Sequence, residues 1–155
     1  MNTLTLLGTK GGPAIRPGGP NPTSMLLTLS GRRIVIDCGL GVSRGLVEAG
    51  MSLKELDLVF ITHLHSDHVL ELGPLIHTAW TTGLNHKVTV YGPAGTRAVW
   101  AGFLASLAYD IETRIADEGR PDLAGLVEII EYGPGEVLTD QDLTVTALRV
   151  DHPPV

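Results

Sequence analysis

Apolar and polar positions alternate along Thr3-Leu4-Thr5-Leu6-Leu7, the pattern of a strand with one covered face, so the chain opens on a strand. Two further short runs, Ser24 to Leu29 and Arg32 to Asp37, meet at Ser30-Gly31 and predict two strands joined by a tight turn. The period then lengthens. Val42, Leu46 and Val47 fall on one helical face between Gly41 and Gly50, and Gly50 is placed to end that helix. Ser52-Leu53-Lys54-Glu55 has the spacing of a capping box, which predicts a short helical turn. It leads into the run Leu56 to Ile61, which reads as a buried strand.

Leu72, Leu75, Ile76, Ala79 and Trp80 supply a buried face for a helix over Val69 to Thr82, with Gly73-Pro74 as a kink or a late start. Lys87 to Tyr91 follows as a strand closed by Gly92-Pro93. Ala94 to Ala108 follows as a helix reaching towards Ala116, broken by Arg120-Pro121. Val127 to Glu131 and Leu143 to Val150 alternate as strands do, with Gly133-Pro134-Gly135 and Thr139-Asp140 as turn material between them. Strands and helices in this order predict a layered α/β or α+β domain.

Between the first two strands, nine of the fifteen residues from Gly8 to Pro22 are Gly or Pro, which excludes a helix or a central strand. The segment reads either as a surface connection or as a loop over a site, where missing side chains let a substrate approach the backbone. Lys10 and Arg16 are then candidate anion contacts.

Composition narrows the chemistry. At 155 residues and 43% apolar content the chain fits one domain with a real core. Its apolar runs are too short and too broken by charge to span a bilayer, and Met1 to Gly8 lacks the features of a signal peptide. The default expectation is a cytoplasmic protein with no membrane partner. Cys38 is the only cysteine, which excludes an intrachain disulfide and a Cys-rich zinc site; it reads as a small buried side chain. Any metal must rest on His and carboxylates. The net charge is −6 and the eleven Lys and Arg are scattered, so no basic stripe favours RNA, although a metal can supply positive charge locally.

The densest chemistry lies in Thr62-His63-Leu64-His65-Ser66-Asp67-His68, where three imidazoles and a carboxylate fall within six residues at the end of a strand. These N and O donors suit a borderline cation such as zinc, and manganese or iron would also be held. His63 and His65, two apart in extended backbone, point the same way and can grip one cation, while Asp67 and His68 can reach a second beside it. Two metals about 3.5–4 Å apart can clamp the attacking and leaving oxygens of a displacement. The bland alternative is a solvated loop with Ser66 or Asp67 capping a helix. Against it, three adjacent imidazoles repel one another when protonated, a cost that metal removes. Asp37 reads either as a turn former before Gly39 or as the partner of a ligand imidazole's other nitrogen. His77 reads as a packed helix residue and His86 as a loop residue.

The chain resembles the metallo-β-lactamase superfamily, whose His-x-His-x-Asp-His signature follows a strand as it does here. It looks most like the ribonuclease Z branch, through Leu6-Leu7-Gly8-Thr9, Val35-Ile36-Asp37-Cys38-Gly39 and Phe60 to His68. The resemblance implies an αββα sandwich, with residues 1–155 as the N-terminal half of a single domain. It implies two zinc ions: His63 and His65 on the first with a third histidine, a position that His152 occupies, and Asp67 and His68 on the second. Asp67 also takes a catalytic role. The implied activity is hydrolysis by a metal-bound hydroxide of a phosphodiester, another ester or an aryl sulfate, with a small molecule as substrate. Cleavage of tRNA at its 3' end is the alternative, because Leu40-Gly41-Val42-Ser43 stands where ribonuclease Z usually has Glu-Gly-Thr-Gln, and Arg16 to Ser24 lacks that family's Arg-Asn pair. The superfamily's bridging Asp and final His belong to a second half. Three expectations follow: a piece of a longer protein, completion of the site by another subunit in a homo-oligomer, or a non-catalytic metal-binding or association module.

Overall fold

The computed structural model describes residues 2–140 and 142–152. Strands β1 (Thr3–Gly8), β2 (Ser24–Leu29) and β3 (Arg32–Ile36) form an antiparallel meander. Ser30 and Gly31 turn the chain between β2 and β3 at φ 51° and 84°, the left-handed geometry that matches strand twist in a two-residue hairpin. From β3 onward the sheet is parallel, through β4 (Leu58–Phe60), β5 (Val88–Pro93) and β6 (Val127–Tyr132), and its spatial order follows the sequence.

Parallel neighbours need crossovers, and the helices supply them. Helix α1 (Val42–Glu48) and a 3₁₀ turn at Leu53–Glu55 join β3 to β4. Helices α2 (Ser66–Val69) and α3 (Leu72–Thr81) join β4 to β5. Helices α4 (Thr96–Ser106), α5 (Ala108–Glu118) and α6 (Leu123–Leu126) join β5 to β6. Their apolar sides gather with Val35, Val59 and Val90 in one core on one face of the sheet, around fully buried Leu46, Leu72, Ile76 and Trp80. Full burial of each such aliphatic side chain contributes about 1.5–3 kcal/mol, so this face carries most of the stability. On the opposite face Ile34, Leu58, Phe60 and Tyr91 pack against a hairpin of β7 (Gly135–Thr139) and β8 (Thr144–Ala147) through Leu143. Burial of Leu58, Val59 and Phe60 alike explains why β4 reads as a continuous apolar run.

Several expected boundaries shift. Val47 is 57% exposed, because Val42 and Leu46 alone, one turn apart, meet the core from the short α1. Ser52 makes no side-chain cap, and Glu55 pairs with Arg33 instead. The helix expected over Val69 to Thr82 is divided at Leu70-Glu71, where the Glu71 amide leaves the helical ladder to donate to the Cys38 carbonyl at 2.8 Å. Pro74 lies in the first turn of α3, where its missing N–H costs nothing. The long helix after Pro93 is two helices that meet at Leu107, and α6 is an addition. Gly135 and Thr139, read as turn material, are the ends of a strand, because Gly135–Thr139 finds a partner in β8. Of Leu143 to Val150 only Thr144–Ala147 pairs, and Leu148 and Val150 are exposed.

Candidate metal centre

The parallel strands β3 to β6 end on one edge, and the chemistry collects there, as expected where strand carboxyl ends open onto loops. Just past β3, Asp37 takes φ 61°, a left-handed turn that aspartate tolerates better than most residues. Its amide donates to the Phe60 carbonyl at 2.8 Å, prolonging the sheet by one bond. Its side chain, 2% exposed, accepts from the Thr62 amide at 2.8 Å and the Thr62 hydroxyl at 2.9 and 3.0 Å. It also accepts from Nδ1 of His68 at 2.7 Å. Of the two readings of Asp37, the structure shows the imidazole partner.

The segment that leaves β4 is held from several sides. The Ile61 amide donates to the Tyr91 carbonyl at 2.7 Å, and the Tyr132 hydroxyl donates to the Ile61 carbonyl at 2.7 Å. Burial, then the Asp37 charge, pushes the Tyr132 phenol up, so it stays a donor. Beyond the cluster, the Cys38 amide donates to the His68 carbonyl at 2.6 Å. Glu71 accepts from the Gly41 and Ser43 amides at 2.5 and 2.9 Å, which ties the start of α1 to the start of α3.

Within this frame, Nε2 of His63 lies 3.2 Å from Nδ1 of His65, and one ligand atom each from His63, His65 and His152 falls within 4.8 Å of the others. The His68 ring stacks at a tilt on His63, centroids 3.9 Å apart. Beside it, Asp67 is 8% exposed, its Oδ2 is 3.6 Å from Nε2 of His68, and it accepts from the Gly12 amide at 2.6 Å. The five sequence-derived candidates, His63, His65, Asp67, His68 and His152, therefore meet in one place. His65, Asp67, His68 and His152 line, with Gly11, Gly12, Pro13 and Ser66, a cleft of about 430 Å³.

The donor set fits a cation. Burial lowers the His63 pKa, and the neighbouring His68, His65 and His152 lower it further against the opposing pull of Asp37. The neutral, ligating form of the ring is thereby favoured. Burial raises the Asp67 carboxyl, but the Gly12 amide, its own backbone amide and the charges of His68 and His63 outweigh it, and the group is held below the usual range as an anion. An anion beside converging imidazole lone pairs is the electrostatics of a cation site.

Other candidates fall outside. Lys10 turns its ammonium onto the Gly11 and Gly12 carbonyls at 3.0 and 3.2 Å and braces the glycine-rich loop, and Arg16 is exposed on it. Nε2 of His77 bonds to Asp110 at 2.8 Å between α3 and α5, and His86 bonds to the Lys54 carbonyl at 2.9 Å. Sequence reading gave no role to Thr62, the Gly12 amide, Glu71 or Tyr132. Thr62 was visible as the residue before the first histidine, but a hydroxyl's partner is set by tertiary contacts.

A parallel sheet that ends in His-x-His-x-Asp-His, with helices on one face, defines the metallo-β-lactamase fold and its ribonuclease Z-like members. The solved structure of the metallo-β-lactamase fold protein YhfI from Bacillus subtilis superposes with a TM-score of 0.65 over 97% of this chain and 54% of that one, at 24% identity. Human tRNase Z, short form, superposes at 0.61 over 70% of this chain and 40% of that one, at 27% identity. The chain belongs to the family described as anti-Pycsar protein Apyc1, whose model matches residues 2–155. A ribonuclease Z of Mycobacterium sp. (strain KMS) is 37% identical over 160 residues, covering 100% of this chain and 54% of the relative. One of Mycobacterium bovis (strain BCG / Pasteur 1173P2) is 34% identical over 158 residues, covering 100% and 56%. The chain spans about half the length of the curated relatives it matches.

Proposed function

We propose that residues 1–155 are the N-terminal half of a single metallo-β-lactamase-like domain, and that the whole protein is a metal-dependent hydrolase of phosphodiesters. The observation that carries this reading is the convergence of His63, His65 and His152 within 4.8 Å, with Asp67 and His68 alongside. His63, His65 and His152 would hold one ion, and Asp67 and His68 a second. Zinc fits the donors best, and when bound it supplies a Lewis acid and a water acidified to near neutrality.

The chain's own residues set the geometry. Asp37 fixes His68 through Nδ1, so that Nε2 faces the cleft beside Asp67. Asp67 is the catalytic carboxylate of the proposal, and the Gly12 amide on its Oδ2 holds it in place. The glycine-rich loop walls the cleft with backbone, which lets a phosphate group come close to Gly11 and Gly12.

RNA is the specific alternative within this class, favoured by the mycobacterial relatives named ribonuclease Z. The family description favours an anti-Pycsar role for the whole protein. The test is hydrolysis of bis(p-nitrophenyl) phosphate by the full-length protein, before and after chelation and after zinc is returned, with a tRNA precursor assayed in parallel. Loss on chelation and recovery with zinc supports the proposal. Undiminished activity in a protein stripped of metal contradicts it, and bound metal without hydrolysis of either substrate favours a non-catalytic module.

A further inference from the structure

The hydroxyl of Thr62 lies at the centre of the cluster, and its hydrogen bonding can be solved by counting protons. A hydroxyl carries one hydrogen and can accept through its lone pairs. Thr62 Oγ1 sits 2.9 and 3.0 Å from the two oxygens of Asp37, and 3.1 Å from Nδ1 of His63. Two oxygens at that separation repel unless a hydrogen lies between them, so the hydroxyl donates to Asp37. Only a lone pair is left for His63, whose Nδ1 must then carry the proton. Nε2 of His63 is consequently bare, and it is the atom that faces Nδ1 of His65 at 3.2 Å.

The same carboxylate accepts directly from Nδ1 of His68 at 2.7 Å. One buried group thus sets two imidazoles, His68 by contact and His63 through the threonine. We propose that Thr62 is a positioning residue whose hydroxyl selects the Nδ1-protonated tautomer of His63 and so presents Nε2 to the first cation. Its bearing on metal rests on the ligand reading given above; the tautomer itself does not.

Thr62→Val keeps the β-branched shape and the backbone donor to Asp37 and deletes only the hydroxyl, and Thr62→Ser restores it. In the full-length protein, competition with a chelator should show zinc bound about 10–100-fold more weakly by the valine variant, the usual cost of losing a partner behind a ligand histidine, with wild-type affinity regained in the serine variant. Imidazole ¹⁵N spectra of the metal-stripped protein should show His63 protonated at Nδ1 in the wild type and the serine variant, and mixed tautomers in the valine variant. Equal zinc affinity with an unchanged tautomer in Thr62→Val overturns the proposal, as does a wild-type His63 protonated at Nε2. A wild-type protein that takes up no zinc overturns the ligand reading, whereas the tautomer comparison still decides the role of Thr62.

Discussion

Side chains one or two bonds from the histidines decide how the cluster behaves. Cys38 is wholly buried beside Asp37, and its thiol is pushed well above the usual range by burial first, then by the Asp37 and Glu71 charges. The thiolate is the reactive form, so the thiol is inert in the folded protein. Native protein should therefore resist iodoacetamide at neutral pH and take up one label per chain on denaturation, read by mass; rapid native labelling would contradict the burial. The ligand candidates His63, His65, Asp67 and His68 were legible because they are contiguous, and their chemistry needs no knowledge of the fold. His152 was legible only through the family resemblance, since it lies 84 positions beyond His68 and tertiary structure alone brings its ring within 4.8 Å of His63. Asp37 stayed ambiguous because its role depends on φ 61°, which turns the carboxylate towards Thr62 and His68.

The elements that carry these residues are joined by carboxylates acting on backbone. Glu71 accepts from Gly41 and Ser43 and so satisfies free amides at the start of α1 from the far side of the site. Glu71→Ala should cost about 1 kcal/mol, the usual worth of a lost cap, read as a lower urea midpoint at unchanged slope. Asp110 on α5 is held below the usual carboxylate range, first by its hydrogen bond from Arg114, against the upward pull of desolvation, and with help from His77. A folded value below the unfolded one means that the unfolded chain binds the proton more readily. The contribution is complete above the ordinary carboxylate range and is lost as pH falls through the folded value. Asp110→Asn should leave the thermal midpoint shallower in its decline below about pH 4 than in the wild type. An identical acid limb would show that the pair is silent. Strand and helix order was legible from periodicity, whereas the helix breaks at Leu70-Glu71 and Leu107 were not; the first answers to a tertiary bond, the Glu71 amide on the Cys38 carbonyl.

Across the molecule, the two faces of the sheet are covered unequally. Every helix crosses on one face; on the other, the β7–β8 hairpin packs on β3 to β6, and Leu4 and Leu6 at the β1 edge are 56% and 59% exposed. The half-sandwich was readable in the sequence from the family motifs, and the chain covers 54% and 56% of its mycobacterial relatives. Among the described residues no helix is long and apolar enough to cross a membrane. The hairpin has a further consequence: the chain leaving β8 leads to His152, so docking of Leu143 beneath the sheet helps carry the third histidine to His63 and His65.

The proposed metal centre stands on a cation held jointly by His63, His65 and His152. Anomalous diffraction at the zinc edge from crystals of the full-length protein tests it directly. The result predicted is a peak about 2.0–2.1 Å from Nε2 of His63, Nδ1 of His65 and a ring nitrogen of His152. Zinc bound only elsewhere, or a zinc-soaked crystal with no peak among these rings, would contradict it.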